Sequence, residues 1–147
     1  MLFRSLLDAN ALIALAWPAH EHHERAQAWF KDHARQGWAT TPFTQAAFVR
    51  IVSQPAFSGS IIGPREAAEL LTRSLSHRHH SFFPLDMQIA EVADQCTGGL
   101  VGHRQVTDAY LLALAIKHKC KLGTFDSGLQ QLLATERERL AHIELIG

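Results

Sequence analysis

Three aspartates stand where the chain changes character, and carboxylates at such places can do chemistry. Asp8 follows Leu6-Leu7, Asp108 opens the apolar stretch 109–116, and Asp126 follows Lys121-Leu122-Gly123-Thr124-Phe125. Brought together, such groups repel one another and raise each other's pKa, so a fold tolerates them only with a compensating cation. Oxygen donors at an open site suit Mg²⁺ or Mn²⁺. A cation of that kind polarises a phosphoryl oxygen and lowers the pKa of water to make a nucleophile. The competing reading is that each aspartate caps its own helix and the three never meet.

The intervening elements decide between these readings. Leu6-Leu7 reads as the end of a buried strand that starts in Met1-Leu2-Phe3, and 9–17 as a helix stopped by Pro18. His20-Glu21-His22-His23-Glu24 opens a second helix with Ala26, Trp29 and Phe30 on one face, ended by Gly37. A short strand over 38–41 is turned by Pro42, and 44–52 is a helix with Phe48, Ile51 and Val52 inward. The stretch 55–64, with two each of Gly, Ser and Pro, predicts a loop. A helix starts at Pro64, 81–85 is extended, and Asp86 caps a helix running through Ile89, Val92 and Ala93. A flexible connection over 98–104 leads into 106–116, which is apolar all round and so belongs at the centre of the fold. A strand over 121–125, a helix over 130–138 and a strand over 143–146 complete the chain.

Strands alternate with helices throughout, which predicts one α/β domain over 1–147, a sandwich of helices around a mostly parallel sheet. In a parallel sheet the three aspartates fall on the carboxyl-end rim, where ligands collect.

Hydrophobic residues make up 47% and charged residues 19% of the 147, the profile of a soluble globular protein with a proper core. No apolar run reaches a membrane span, no secretory leader opens the chain, and Cys96 and Cys120 lack a pairing motif; a reduced cytoplasmic protein is expected. Lys and Arg total 14 against 14 Asp and Glu, so no global field draws the chain to nucleic acid. RNA or DNA would have to be met at a local site or through a partner.

Taken together, the segments resemble a known family. Leu6-Leu7-Asp8-Ala9-Asn10-Ala11-Leu12-Ile13 resembles the opening motif of PIN-domain ribonucleases, 106–115 their third acidic motif, and Thr124-Phe125-Asp126-Ser127-Gly128-Leu129 their fourth. The segment 40–51 is similar to the one carrying their second. Order, separations and length match the VapC toxins of bacterial toxin–antitoxin pairs, over essentially the whole chain.

The resemblance implies a Mg²⁺-dependent endoribonuclease, with Mn²⁺ as a possible substitute, in which Asp8, Asp108 and Asp126 hold the metal. A metal-activated water would attack a phosphodiester of tRNA or ribosomal RNA. The implied partner is a VapB-type antitoxin that enters the active-site groove and makes the DNA contacts, and the implied assembly is a homodimer. Many members carry a glutamate in the second motif where this chain has Gln45, which contributes an amide oxygen and no charge. That departure weakens the case for a second tightly held metal. Asp86 and Glu91 are candidates to replace the missing charge. Asn10 and Thr107 are candidates to orient the aspartates or touch phosphate.

Other readings remain open from the sequence. A catalytically weak module that only binds RNA or protein is favoured by Gln45 and opposed by the three aspartates. A receiver-type signalling domain would need adjacent acids after the first strand and an aspartate at mid-chain; Asp8 has no acidic neighbour and Trp38-Ala39-Thr40-Thr41-Pro42 holds none. Six of the ten histidines form two clusters, within 20–23 and 77–80, without the spacing of a zinc site. They read as solvated surface, with Arg78 and its neighbours as candidate phosphate contacts. Trp17, Trp29 and Trp38 read as core or dimer contacts.

Overall fold

The computed structural model describes residues 4–59 and 62–147. Met1-Leu2-Phe3, expected to begin the first strand, and positions 60–61 of the expected loop lie outside the described residues.

The strand leading to Asp8 is the middle of the sheet. Ser5–Leu7 (β1) pairs on one side with Trp38–Thr40 (β2) and on the other with Lys121–Thr124 (β4). His80–Phe82 (β3) and Ile143–Leu145 (β5) are the edges, giving the order β3-β2-β1-β4-β5 with every pair parallel. Side chains alternate across a strand, so Leu6 and Leu7 enter opposite layers. Leu7 packs with Ala9–Ala16 (α1), His23–His33 (α2), Pro42–Val52 (α3), the single turn Pro55–Ser58 (α4) and Pro64–Leu75 (α5). Leu6 packs with Ile89–Gln95 (α6) and Val106–Lys117 (α7). Glu136–His142 (α8) leans on α7 and leads into β5. The expected α/β sandwich is therefore present, and its sheet is wholly parallel.

α7 has the expected central place, with Ala109 and 111–115 all buried. Trp38 and Trp29 are core residues, while Trp17 tilts against Phe57 at 6.0 Å. Among the described residues no helix is long and apolar enough to cross a membrane.

Four expectations need correction. Pro42 does not turn the chain away from β2 but forms the first turn of α3, where its missing N–H costs nothing. The loop 55–64 contains α4, closed by Gly59 at φ 68°. Asp86 does not cap α6, which begins at Ile89 behind Gln88. The reason is Tyr110, whose hydroxyl donates to the Met87 carbonyl at 2.7 Å and accepts from the Met87 N–H at 2.9 Å, holding that segment outside the helix. The expected helix 130–138 is two elements, a 3-10 turn Ser127–Leu132 and α8, because Asp126 and Thr135 each start one by accepting a backbone N–H.

The turn behind Asp126 is locked by Gly98, which donates its N–H to the Leu132 carbonyl at 2.9 Å. A Cβ there would lie 2.4 Å from the Gln131 carbonyl oxygen and 2.9 Å from the Leu133 carbonyl carbon, both backbone. Gly98→Ala is therefore expected to destabilise by about 2 kcal/mol, the scale of overpacking a rigid site, read as a lower urea midpoint. A variant as stable as the parent would mean that these two segments part easily.

Candidate active site

Asp8 is a helix cap and a site residue at once. Its backbone N–H continues the ladder to the Gly123 carbonyl at 3.1 Å, so its place is fixed by the sheet centre. Its Oδ1 accepts the Ala11 N–H at 2.8 Å, and its Oδ2 accepts the Thr124 hydroxyl at 2.5 Å. The Thr124 oxygen in turn accepts the Asp126 N–H at 3.0 Å. One hydroxyl thus ties the first acidic segment to the last, across 116 positions of sequence. Each Asp8 oxygen keeps a lone pair beyond these bonds.

Asp126 accepts the Gly128 N–H on Oδ1 at 2.8 Å and is exposed at the head of its 3-10 turn. Asp108 lies half-buried in the first turn of α7, where the helix dipole favours an anion. The three carboxylates line one open pocket of about 570 Å³, together with Asn10, Thr44, Thr107, His22 and an apolar wall. They feel one another. Burial pushes Asp8 up from the ordinary 3.8 to about 6, against its two hydrogen bonds, with Asp108 and Asp126 adding to the rise. Asp108 is also raised, by burial first and Asp126 second.

No lysine or arginine is among the pocket's lining residues. The carboxylates of Asp8, Asp108 and Asp126 are oxygen donors of the kind that would fit Mg²⁺ or Mn²⁺. Among the described residues no group of three or more His, Cys, Asp or Glu side chains is drawn together closely enough to hold a metal ion. The three acids share a pocket wall without closing on a common point.

The other candidates divide. Thr107 lines the pocket. Asn10 does too, and its Oδ1 is engaged by His20 Nε2 at 3.0 Å. Since His20 Nδ1 accepts the His22 N–H at 3.0 Å, the ring proton sits on Nε2, and Asn10 is left with its NH₂ as a donor. The NH₂ of Asn10 has the donors a phosphate would take, and its oxygen keeps one lone pair beyond the His20 bond. Gln45 is not brought to the acids. Consecutive helix residues point about 100° apart, and the face of α3 turned to the pocket carries Phe43, Thr44, Ala47 and Ile51. Gln45 faces a separate groove between α3 and α5 and donates to Thr40 Oγ1 at 2.9 Å. Asp86 is an exposed partner of Lys117 at 3.3 Å, and neither it nor Glu91 lines the pocket.

His77 and His80 pack around Trp38 and Thr40, before and within β3, at the end of the sheet away from the aspartates. They and Arg78 do not line the pocket. His22 does, stacked on Phe125 at 4.8 Å. Sequence reasoning treated it as solvated surface and passed over Thr124 as a functional residue. Only the Leu7–Gly123 register, which sets Thr124 beside Asp8, reveals the latter.

Thr124→Val removes the hydroxyl from a buried carboxylate and is expected to cost about 1–3 kcal/mol at neutral pH. Urea unfolding at pH 7 checks this. The loss should shrink when Asp8 is protonated at pH 4.

Comparison with known proteins agrees with this geometry. The model of the PIN domain matches residues 5–133. Ribonuclease VapC38 of Mycobacterium tuberculosis is 43% identical over 125 residues, covering 85% of this chain and 86% of the relative. Ribonuclease VapC39 of the same organism is 41% identical over 125 residues, 85% of this chain and 90% of the relative. The crystal structure of VapBC2 from Rickettsia felis, bound to a DNA fragment from their promoter, superposes with a TM-score of 0.65 over 98% of this chain and 99% of that one. At 13% identity it speaks for the fold alone. With the acids on the rim of a wholly parallel sheet and these relatives along most of its length, the chain belongs to the PIN-domain family and is of the VapC type.

Proposed function

We propose that this protein is a Mg²⁺-dependent endoribonuclease, the toxin of a type II toxin–antitoxin pair, that hydrolyses a phosphodiester of tRNA or ribosomal RNA. The observation that carries the proposal is the convergence of Asp8, Asp108 and Asp126 on one pocket lined by no lysine or arginine. Ribonuclease activity in the names of the M. tuberculosis relatives supports it. Gln45, which favoured a binding-only module, lies in another groove and argues nothing about the acids.

Asp8, Asp108 and Asp126 would hold the cation. When bound, the cation would offset their repulsion, withdraw charge from a phosphoryl oxygen and raise the acidity of water. Thr124 fixes the Asp8 carboxylate in place through its hydroxyl. Asn10, oriented by His20, offers its amide N–H groups to phosphate, and Thr107 offers a hydroxyl at the mouth of α7. The VapBC2 assembly on promoter DNA supports a VapB-type partner that makes the DNA contacts, in keeping with the zero net charge here. A homodimer acting in the cytoplasm completes the proposal.

Purified protein incubated with total RNA and Mg²⁺ tests it, beside EDTA controls, Asp8→Asn and Asp108→Asn. Defined cleavage products are expected from the wild type with Mg²⁺ alone. Equal cleavage by all three proteins, or cleavage unaffected by EDTA, would sink the proposal.

A further inference from the structure

On the ribonuclease reading the pocket must take in a phosphate, although no lysine or arginine lines it. A cation on that wall would pair with the aspartates and compete with a metal ion for them. What the wall offers an anion is uncharged, the Asn10 NH₂ and the Thr107 hydroxyl, and beside them stands the ring of His22. Arg25 does not line the pocket but touches two residues that do. Its guanidinium lies 5.3 Å from the Phe125 ring centre, and its Nη1 lies 3.2 Å from His22 Nδ1.

A guanidinium only donates. His22 Nδ1 is therefore the acceptor of the Arg25 N–H, and the ring hydrogen is on Nε2. The nearest ionic group to Nε2 is Glu21 Oε1 at 3.5 Å, too long for a good hydrogen bond and on a side chain 81% exposed. The ring is held on its face as well, stacked on Phe125 with the two planes 22° from parallel. His22 is the N-cap of α2, yet its ring makes no capping bond, so the helix asks nothing of it. Arg25 is braced in turn. Its Nη2 donates to the Ile146 carbonyl at 3.4 Å, and the Ile146 N–H bonds the Thr124 carbonyl at 2.8 Å. Thr124 is the residue whose hydroxyl joins Asp8 to Asp126. The residue that fixes the acids thus also steadies, through Ile146 and Arg25, an N–H donor on the pocket wall.

We infer that His22 is a substrate-binding residue, an uncharged imidazole that gives its Nε2–H to a phosphate oxygen of RNA, and that Arg25 is the positioning residue that fixes its tautomer. The positive charge stays out of the pocket, and the carboxylates are left to a metal ion.

This rests on the ribonuclease reading, but nitrogen NMR of the His22 ring needs no RNA, so the two fail separately. The hydrogen is expected on Nε2 in the wild type at neutral pH, and a mixture of tautomers in Arg25→Met, whose aliphatic chain can still pack on Phe125. Hydrogen on Nδ1 in the wild type, or an identical spectrum in Arg25→Met, overturns the role of Arg25. Affinity is read by anisotropy of a fluorescent RNA oligonucleotide on the Asp8→Asn protein, which need not cleave it. Adding His22→Phe, which keeps a ring to stack on Phe125 and removes the N–H, is expected to weaken binding roughly tenfold, the scale of a hydrogen bond to a charged group. The slope of log K against log salt should not change, because no charge is lost. His22→Gln restores an N–H donor and should recover most of the loss, and Arg25→Met should cost less than His22→Phe. Circular dichroism shows that each variant is folded. An unchanged affinity in His22→Phe overturns the inference and leaves the ribonuclease reading in place. A slope reduced by about 0.7 in either His22→Phe or Arg25→Met overturns it too, since that residue would then meet phosphate as a cation. An Asp8→Asn protein that binds no RNA removes both readings.

Discussion

Asp8→Asn is expected to be more stable than the wild type at pH 7 in the absence of divalent cations, by on the order of 2–3 kcal/mol. The Asp8 carboxyl titrates near 3.8 in an ordinary setting and is pushed up to about 6 here, chiefly by burial. Between those two values the folded state holds a proton that the unfolded state has released. Stability therefore falls as pH rises from about 4 to 6, and stays low above. An asparagine has no such titration, and it can keep both contacts, its oxygen accepting the Ala11 N–H and its NH₂ donating to Thr124 Oγ1. Urea unfolding of both proteins at pH 4 and pH 7 with EDTA reads the effect, and the gap should close at pH 4. Mg²⁺ should then raise the wild-type midpoint more than that of the variant, since only the charged site gains from binding it. A wild type that is the more stable protein at pH 7 without metal would mean that the Asp8 carboxylate is already well compensated.

The same substitution is expected to lower RNA cleavage by roughly 10²–10⁴-fold, because a cation's charge stabilisation of the transition state is worth several kcal/mol and each 1.36 kcal/mol is tenfold. Asp108→Asn should fall in the same range. Single-turnover cleavage rates, measured beside circular dichroism to show that each variant is folded, make the comparison. Rates within threefold of the wild type in both variants would remove these carboxylates from the chemistry. A protein that is stabilised and inactivated by one change of charge carries its strain where it acts.

Much of the site was legible because its acids sit at strand and helix ends, where sequence patterns are strongest. Leu6-Leu7-Asp8 and the apolar run after Asp108 announced both element and residue. What could not be read was the partner of each side chain across the sheet. Thr124 meets Asp8 only through the register of β1 and β4. Thr44 and Gln45 are adjacent in sequence, and only the roll of α3, set by the burial of Phe48 and Val52, turns Thr44 to the acids. Asp86 failed as a cap because Tyr110, 24 positions on in sequence, holds Met87. The last helix was misplaced for a local reason, since Thr135 is a capping residue visible in the sequence.

The Asp8 N–H bonded to the Gly123 carbonyl has a consequence for how such a protein is silenced. The first acid hangs from a rung of the innermost ladder and the last is tied by its N–H to Thr124 at the end of the adjoining strand, so moving them apart strains the sheet at its centre. A group that covers the mouth of the pocket and is later withdrawn is therefore expected to leave the acids in place beneath it.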